Sequence, residues 1–268
     1  MQGWNDKTRR AIGRAVAAAA ALAGLVAAAS AEAQGRSPPS PDAKPAPMSA
    51  AERRDLNGIW SPDQGVLWDT SVAPGQRPNA PFTPAYAALY QEALDASAAG
   101  HPKVDPPTRC LPPGTPRMMA SPFPFEIVQT PDTIYLMHEY MSQIRRMFMK
   151  AHAPKPAPFT TYNGFSVAHW EGDTLVVETD QLVADSVLDT THLPHSDALK
   201  VVERFRKLAP DKLEDRITLI DDKAYTRPWT TIRTYTRKPG EQILQYVCEE
   251  NNRNPVDADG ATAFLGPK

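Results

Sequence analysis

Between Phe165 and Arg206 the chain carries its densest cluster of histidine and carboxylate side chains. The run His192-Leu193-Pro194-His195-Ser196-Asp197 sets two imidazoles and a carboxylate within six residues, and Glu203 follows eight residues after His195. Metal ligation is one chemistry for such a group. However, H-x-x-H across a proline lacks the rigid i, i+4 spacing of the helical zinc motif and no cysteine is nearby, so no metal is assigned. Proton transfer is the other, because an imidazole titrates near neutrality and serves as general base or acid once a second group orients it. His195 is the candidate base, with Glu203 or Asp197 orienting it. A plainer use stays open for Ser196 and Asp197, which can accept backbone amides in a loop leading to a strand. His101 and His152 sit in proline-containing segments and are read as solvated.

Placing these groups requires knowing which face of a strand each occupies. Side chains alternate faces along a strand, so a charge in phase with the apolar set is expected to point inward. In Leu199 to Arg206, Glu203 shares its face with Leu199, Val201 and Phe205. His169 shares one with Phe165 and Val167. In Thr133 to Tyr140, Glu139 lies with Tyr135 and Met137 while His138 lies with Ile134 and Leu136, so one of the two must be inward. Arg145 aligns with Met147 and Met149, and Arg146 with Ile144 and Phe148. Glu249 follows Ile243 and Val247, and Glu250 follows Leu244, Tyr246 and Cys248. A buried carboxylate without a partner is costly, which pairs Glu203 or Glu249 with Arg145. Such a set is expected either to line a ligand cavity or to form an ion-pair network at one end of the fold.

The elements that position them are mostly strands. Phe125-Gln129, Thr133-Tyr140, Gln143-Lys150, Phe165-Trp170, Thr174-Asp180, Leu199-Leu208, Lys212-Ile220, Trp229-Arg237 and Gln242-Glu249 alternate, and turn-like residues such as Glu171-Gly172-Asp173 and Ala209-Pro210-Asp211 separate them. Closely spaced strands imply an antiparallel meander, and closing it into a barrel removes its edges; an open sandwich is the alternative. Asp55-Leu56-Asn57-Gly58-Ile59-Trp60 supplies a G-x-W leading into a first strand, as in lipocalin-type barrels. Met48 to Leu56 has Ser49 as a helix cap for one or two turns. Pro84 to Ala99 is the convincing helix, with Thr83 before it, Pro84 in its first turn and Gly100 as its stop. Residues 102 to 124 are rich in proline and are expected to drape over the domain. Tyr225-Thr226-Arg227-Pro228-Trp229 is an aromatic loop suited to closing one end of a cavity.

Composition bounds the rest. Lys7, Arg9, Arg10 and Arg14 precede an apolar run from Ala15 to Ala29 and A-x-A sites, the layout of an export signal over residues 1-33, with Arg9-Arg10 leaving the twin-arginine and general secretory routes both open. Residues 34-50 form a Pro-rich tether, 51-252 the single β domain and 253-268 a tail. Removing 33 of the 268 residues leaves 235, with a net charge of −4, which gives no reason to expect nucleic acid as partner, and no later segment approaches a membrane span. Two cysteines, Cys110 and Cys248, in an exported chain are expected to form a disulfide. No G-x-S-x-G elbow, phosphate loop or dinucleotide fingerprint is present, which argues against the corresponding hydrolases, kinases and dehydrogenases.

Taken together, D-L-N-G-I-W at 55-60, C-L-P-P-G-T-P-R at 110-117, P-F-E-I-V-Q-T-P at 124-131, W-E-G-D-T-L-V-V-E-T at 170-179, H-S-D-A-L-K-V-V-E-R-F-R at 195-206 and Y-V-C-E-E-N-N at 246-252 resemble a family of exported bacterial proteins. The resemblance implies a shared fold in which the acids, His195 and both cysteines recur, and it names no substrate. The expected architecture is all-β, an antiparallel meander closed into a lipocalin-like β-barrel with one N-terminal helix and a Pro-rich draping segment. The expected function is that of an exported enzyme, a lyase, isomerase or hydrolase without cofactor, acting on a mainly apolar small molecule. His195, Glu203, Glu139 and Arg145 are the catalytic candidates; His169, Tyr135, Phe205, Trp229 and Glu249 are the substrate-binding ones. A non-catalytic carrier of a hydrophobic ligand is the alternative, and a tethered envelope-structural protein a third.

Overall fold

Alternating sequence and tight turns produce nine strands: β1 (Gly58–Pro62), β2 (Phe125–Gln129), β3 (Thr133–His138), β4 (Gln143–Met149), β5 (Phe165–Glu171), β6 (Thr174–Asp180), β7 (Lys200–Ala209), β8 (Lys212–Ile220) and β9 (Trp229–Arg237). The computed structural model describes residues 47–65, 68 and 79–248. The expected export signal, most of the expected tether, Glu249, Glu250 and residues 253-268 lie outside the described residues. The strands close in sequence order into a barrel, with β9 pairing with β1 through Trp60 opposite Arg237. Closure leaves no edge, which explains why the expected strand at Gln242–Glu249 is not one: residues 241–247 form no strand and are anchored by Leu244 N–H donating to Glu139 Oε2 at 3.0 Å. One neighbouring pair departs from the antiparallel meander. β4 and β5 are parallel, because residues 150–164 carry the chain from one end of the barrel back to the other.

Strand polarity therefore sorts the connections onto two ends. At the turn end lie the short links 130–132, 172–173 and 210–211, together with helix α1 (Ala50–Arg54). Ser49 caps that helix with a reciprocal bond to Glu52, and Leu56 and Trp60 are fully buried, the Trp60 indole N–H donating to Leu56 O at 2.9 Å. Lys207, in phase with the inward residues of β7, donates from Nζ to the carbonyls of Glu52 and Asp55 at 3.1 and 2.8 Å. A cation thus satisfies the last carbonyls of α1.

The other end collects the long connections 63–124, 181–199 and 221–228. Helix α2 (Pro84–Ala98) packs there through Tyr90 and Ala93, leaving Leu89 exposed. Phe82, Tyr90, Tyr225, Trp229 and Trp68 form a chain of aromatic contacts at centroid separations of 5.5 to 6.4 Å. The Pro-rich segment does more than drape: residues 113–121 are buried, and Met118, Met119 and Ala120 belong to the core. Prolines suit this, because they bring no N–H that burial would leave unmatched. Gly114 (φ +72°) is required where this segment crosses residue 162, since a Cβ there would stand 2.5 Å from Tyr162 O. Arg117 clamps the segment by a two-pronged bond to Asp105 at 2.6 and 2.7 Å. Cys110 is bonded to Cys248, tying the segment to the chain beyond the barrel rather than to a last strand.

Within this end His138 is the inward residue of its pair, its ring tilted against Phe125 at 5.8 Å and accepting the Tyr140 N–H on Nδ1. Burial pushes its pKa down to about 4. In the folded protein His138 stays neutral where the unfolded chain would already bind a proton. Its contribution is therefore complete above about pH 6.5 and is lost as pH falls towards 4, reaching on the order of 3 kcal/mol. Urea titrations across that range should show stability falling with acidification, with the slope reduced in His138→Gln; an unchanged slope would show that other groups carry the loss.

Candidate functional site

Two groups of polar side chains are built into this frame. The first lies inside the barrel. Arg145 on β4 and Glu203 on β7 are essentially inaccessible and form a bidentate ion pair: Arg145 Nη1 donates to Glu203 Oε1 at 2.9 Å and Nη2 to Oε2. The remaining reach of the guanidinium is filled by Ser166 Oγ at 3.1 Å and Thr179 Oγ1 at 2.8 Å. Every described donor direction of Arg145 but one is thus used, and Glu203 is held by the same residue it neutralises. The pairing of Arg145 with Glu203 agrees with the phase argument, whereas Glu249 lies outside the described residues.

The interior holds two further ionisable residues that the strand-phase reading did not single out. Asp215 on β8 and Arg233 on β9 are cross-strand neighbours and both fully buried. Arg233 donates to the carbonyls of Gly65 and Trp68 at 2.7 and 3.3 Å, and neither oxygen of Asp215 has a hydrogen-bond partner among the described residues. Burial, and then the negative charge of Glu203, raise the Asp215 pKa well above the ordinary carboxylate range, against the pull of Arg145 and Arg233. The acid held neutral inside the barrel is thus Asp215. The same alternation that selected Glu203 marks both residues: Asp215 is in phase with Leu213, Ile217 and Leu219, and Arg233 with Trp229, Thr231 and Tyr235.

Several expected lining residues are elsewhere. On β5 the inward set is Ser166 and Ala168, so His169 faces outward, in an exposed contact with Glu171 at 3.2 Å. On β3 Ile134, Leu136 and His138 point in, which turns Tyr135 outward, and Glu139 sits after the strand, bonded to Leu244. Phe205 and Trp229 are buried as expected. The four catalytic candidates therefore do not converge: Arg145 and Glu203 meet, Glu139 is outside the barrel, and His195 belongs to a second group. A groove of about 340 Å³ of mixed character is lined instead by Phe165, Val167 and Val202 together with Glu178, Asp180 and Lys200 among others.

The second group is in the 181–199 connection. Leu182, Leu188, Leu193 and Leu199 anchor this segment in the core, and Leu188 N–H donates to Leu193 O at 2.9 Å across the loop. Between these anchors Ser186 Oγ lies 2.8 Å from His195 Nε2, and His195 Nδ1 lies 2.9 Å from Ser196 O. Asp221 holds Ser196 from two sides, accepting its N–H and its Oγ–H at 2.7 Å each. Tyr225 donates its hydroxyl to Pro194 O at 2.9 Å, fixing the residue before His195. Neither expected orienting carboxylate serves His195. Glu203 is occupied by Arg145, and Asp197 is exposed and paired with Lys223. Ser186 gave no periodic signal, because its partnership is made across a loop rather than along a strand.

This arrangement fixes a protonation state. Burial lowers the pKa of His195, with the Ser196 carbonyl and Asp221 opposing, so the ring is neutral at pH 7. Nδ1 meets only a carbonyl acceptor and must carry the single ring proton; Nε2 therefore presents a lone pair to Ser186. The Ser186 hydroxyl has a competing acceptor in Val183 O at 3.1 Å, which is the longer contact and leaves Nε2 unmatched if chosen. The connection thus holds a hydroxyl and an imidazole in the relation of a proton donor to a base whose other nitrogen is tied down. Compared with models of known protein families and with curated proteins, the chain matches none.

Proposed function

We propose that the chain is an exported enzyme that acts on a small molecule by general acid–base catalysis, with His195 as its base. The observation that carries this reading is the placement of His195, whose Nδ1 lies 2.9 Å from Ser196 O and whose Nε2 faces a hydroxyl 2.8 Å away. The group sits at the end of the barrel where the long connections gather, which is where a fold of this kind varies its chemistry without disturbing its sheet. Burial of both residues lowers the local dielectric and strengthens each polar interaction in the site. Arg145 and Glu203 have a positioning role on this reading, since they brace β4 against β7 and so hold the strand that follows His195. Export accords with the disulfide, which belongs to an oxidising compartment, and with the signal-like residues 1-33. The motif resemblance to exported bacterial proteins supports the same compartment.

The test uses the mature chain, wild type and His195→Gln, with a panel of small apolar esters, lactones, ketones and hydroxy acids read by mass spectrometry. At least one member is expected to be converted, with His195→Gln slower by about 10²- to 10⁴-fold and its affinity within about tenfold of wild type. Equal conversion by the variant removes His195 as the base. Saturable binding without conversion of any member favours the carrier.

A further inference from the structure

Resting on the reading of His195 as a base, we infer that Ser186 is the nucleophile of that site and that the reaction is acyl transfer to water, the substrate class being small esters or other activated acyl compounds. Three features of the connection carry this. Ser186 Oγ is within 2.8 Å of Nε2, the nitrogen left unprotonated by the bond from Nδ1 to Ser196 O. The ring is held on its far side by a residue whose own N–H and hydroxyl are both bound by Asp221, so a carboxylate stands behind the base at one residue's remove. Asp221 is in turn fixed by the backbone amides of Lys223 and Ala224 at 3.2 and 3.1 Å, which keeps its charge in place. Nucleophile, base and orienting group thus follow one another as the general logic of an activated hydroxyl requires, without a G-x-S-x-G turn.

The chemistry balances with water as the only co-reactant. Ser186 Oγ forms a bond to the acyl carbon as the carbonyl double bond opens, and its proton passes to His195 Nε2. Collapse of the adduct breaks the bond to the leaving group, which takes that proton from Nε2. A water molecule then gives a proton to Nε2 and attacks the acyl-serine carbon. The Ser186 Oγ–acyl bond breaks, Ser186 recovers its proton and the carboxylic acid departs. Asp221 touches no reacting atom; it is a positioning residue that holds Ser196 O towards Nδ1–H and stabilises the imidazolium formed in each half-reaction.

A fluorophosphonate probe on the native mature chain tests this without knowledge of the substrate. Peptide mass spectrometry should find one adduct on Ser186, absent from Ser186→Ala of unchanged melting temperature and from heat-denatured wild type, and formed at least about 100-fold more slowly in His195→Gln. The labelling rate should rise with pH as His195 loses its proton. Asp221→Asn should move that midpoint downward, because a negative charge favouring the protonated ring is gone. Slower labelling with an unmoved midpoint would assign Asp221 a purely structural role. Absence of the adduct in native wild type, an adduct on another serine, or equal labelling of His195→Gln overturns the nucleophile. Conversion of a panel substrate that survives in Ser186→Ala but not in His195→Gln also overturns it, while leaving His195 as a base.

Discussion

Arg145→Met should destabilise the folded barrel by about 3–5 kcal/mol at pH 7, the cost of removing one partner of a buried ion pair and leaving the other charge without compensation. The effect should exceed that of Glu203→Leu, and the reason lies in Asp215. Removing the guanidinium leaves two carboxyl groups, Glu203 and Asp215, in an interior where the charge of Glu203 already opposes the ionisation of Asp215. Removing Glu203 instead lifts the repulsion that helps keep Asp215 neutral and leaves Arg145 with a carboxyl group able to ionise as its replacement counter-ion. The double variant Arg145→Met/Glu203→Leu should recover most of the loss, since an apolar pair of similar volume spares both desolvation costs. Guanidinium denaturation of the three variants at pH 7 measures this. Equal losses in the two single variants would mean that Asp215 is not coupled to the pair, and a double variant as unstable as the sum would mean that Ser166 and Thr179, left without their shared donor, dominate.

Glu203 was legible before the fold because β7 presents one clearly apolar face to the core, whereas β4 carries Met147 and Met149 beside Arg145 but Ile144 and Phe148 beside Arg146. β5 was not, and its error has a physical origin. In the first four residues of β5 the larger side chains, Phe165 and Val167, occupy the outer face, where the 150–164 connection passes and the groove includes Pro156, and where Phe165 stacks on Phe148 at 5.6 Å. The inner face needs small residues, Ser166 and Ala168, because the Arg145 guanidinium is already there. Hydrophobic size thus points outward and the phase rule inverts, taking His169 with it. β3 is apolar on both faces, so Tyr135 and His138 could be separated only by the fold. Asp215 and Arg233 were available to the same rule on strands whose faces are well marked. Ser186 was not, since a serine in a loop carries no periodicity, and its pairing with His195 depends on how Leu188 and Leu193 fold the connection back on itself.

The disulfide makes the second large effect. Replacing both Cys110 and Cys248 by alanine should lower stability by about 3–5 kcal/mol, because the bridge closes a loop across 138 positions of sequence and the chain-entropy model assigns about 5 kcal/mol to a closure of that length. Nearly all of the barrel lies within the loop, so the constraint acts on the unfolded chain from β2 through β9. The native state also gains locally. Cys248 holds the chain beyond β9 against the barrel, where Tyr246 meets Phe123 and Tyr140 edge-on at 5.8 and 5.3 Å and accepts the Ser142 hydroxyl at its carbonyl. The two contributions separate experimentally. Tyr246→Ala with the bridge intact removes only the local packing and should cost well under half as much, since Tyr246 is partly exposed. If Tyr246→Ala matches the double cysteine variant, the bridge serves to dock this segment rather than to restrict the unfolded chain. If adding Tyr246→Ala to the cysteine variant costs nothing further, the aromatic contacts depend on the bridge for their existence, and the segment after β9 has no hold on the barrel of its own.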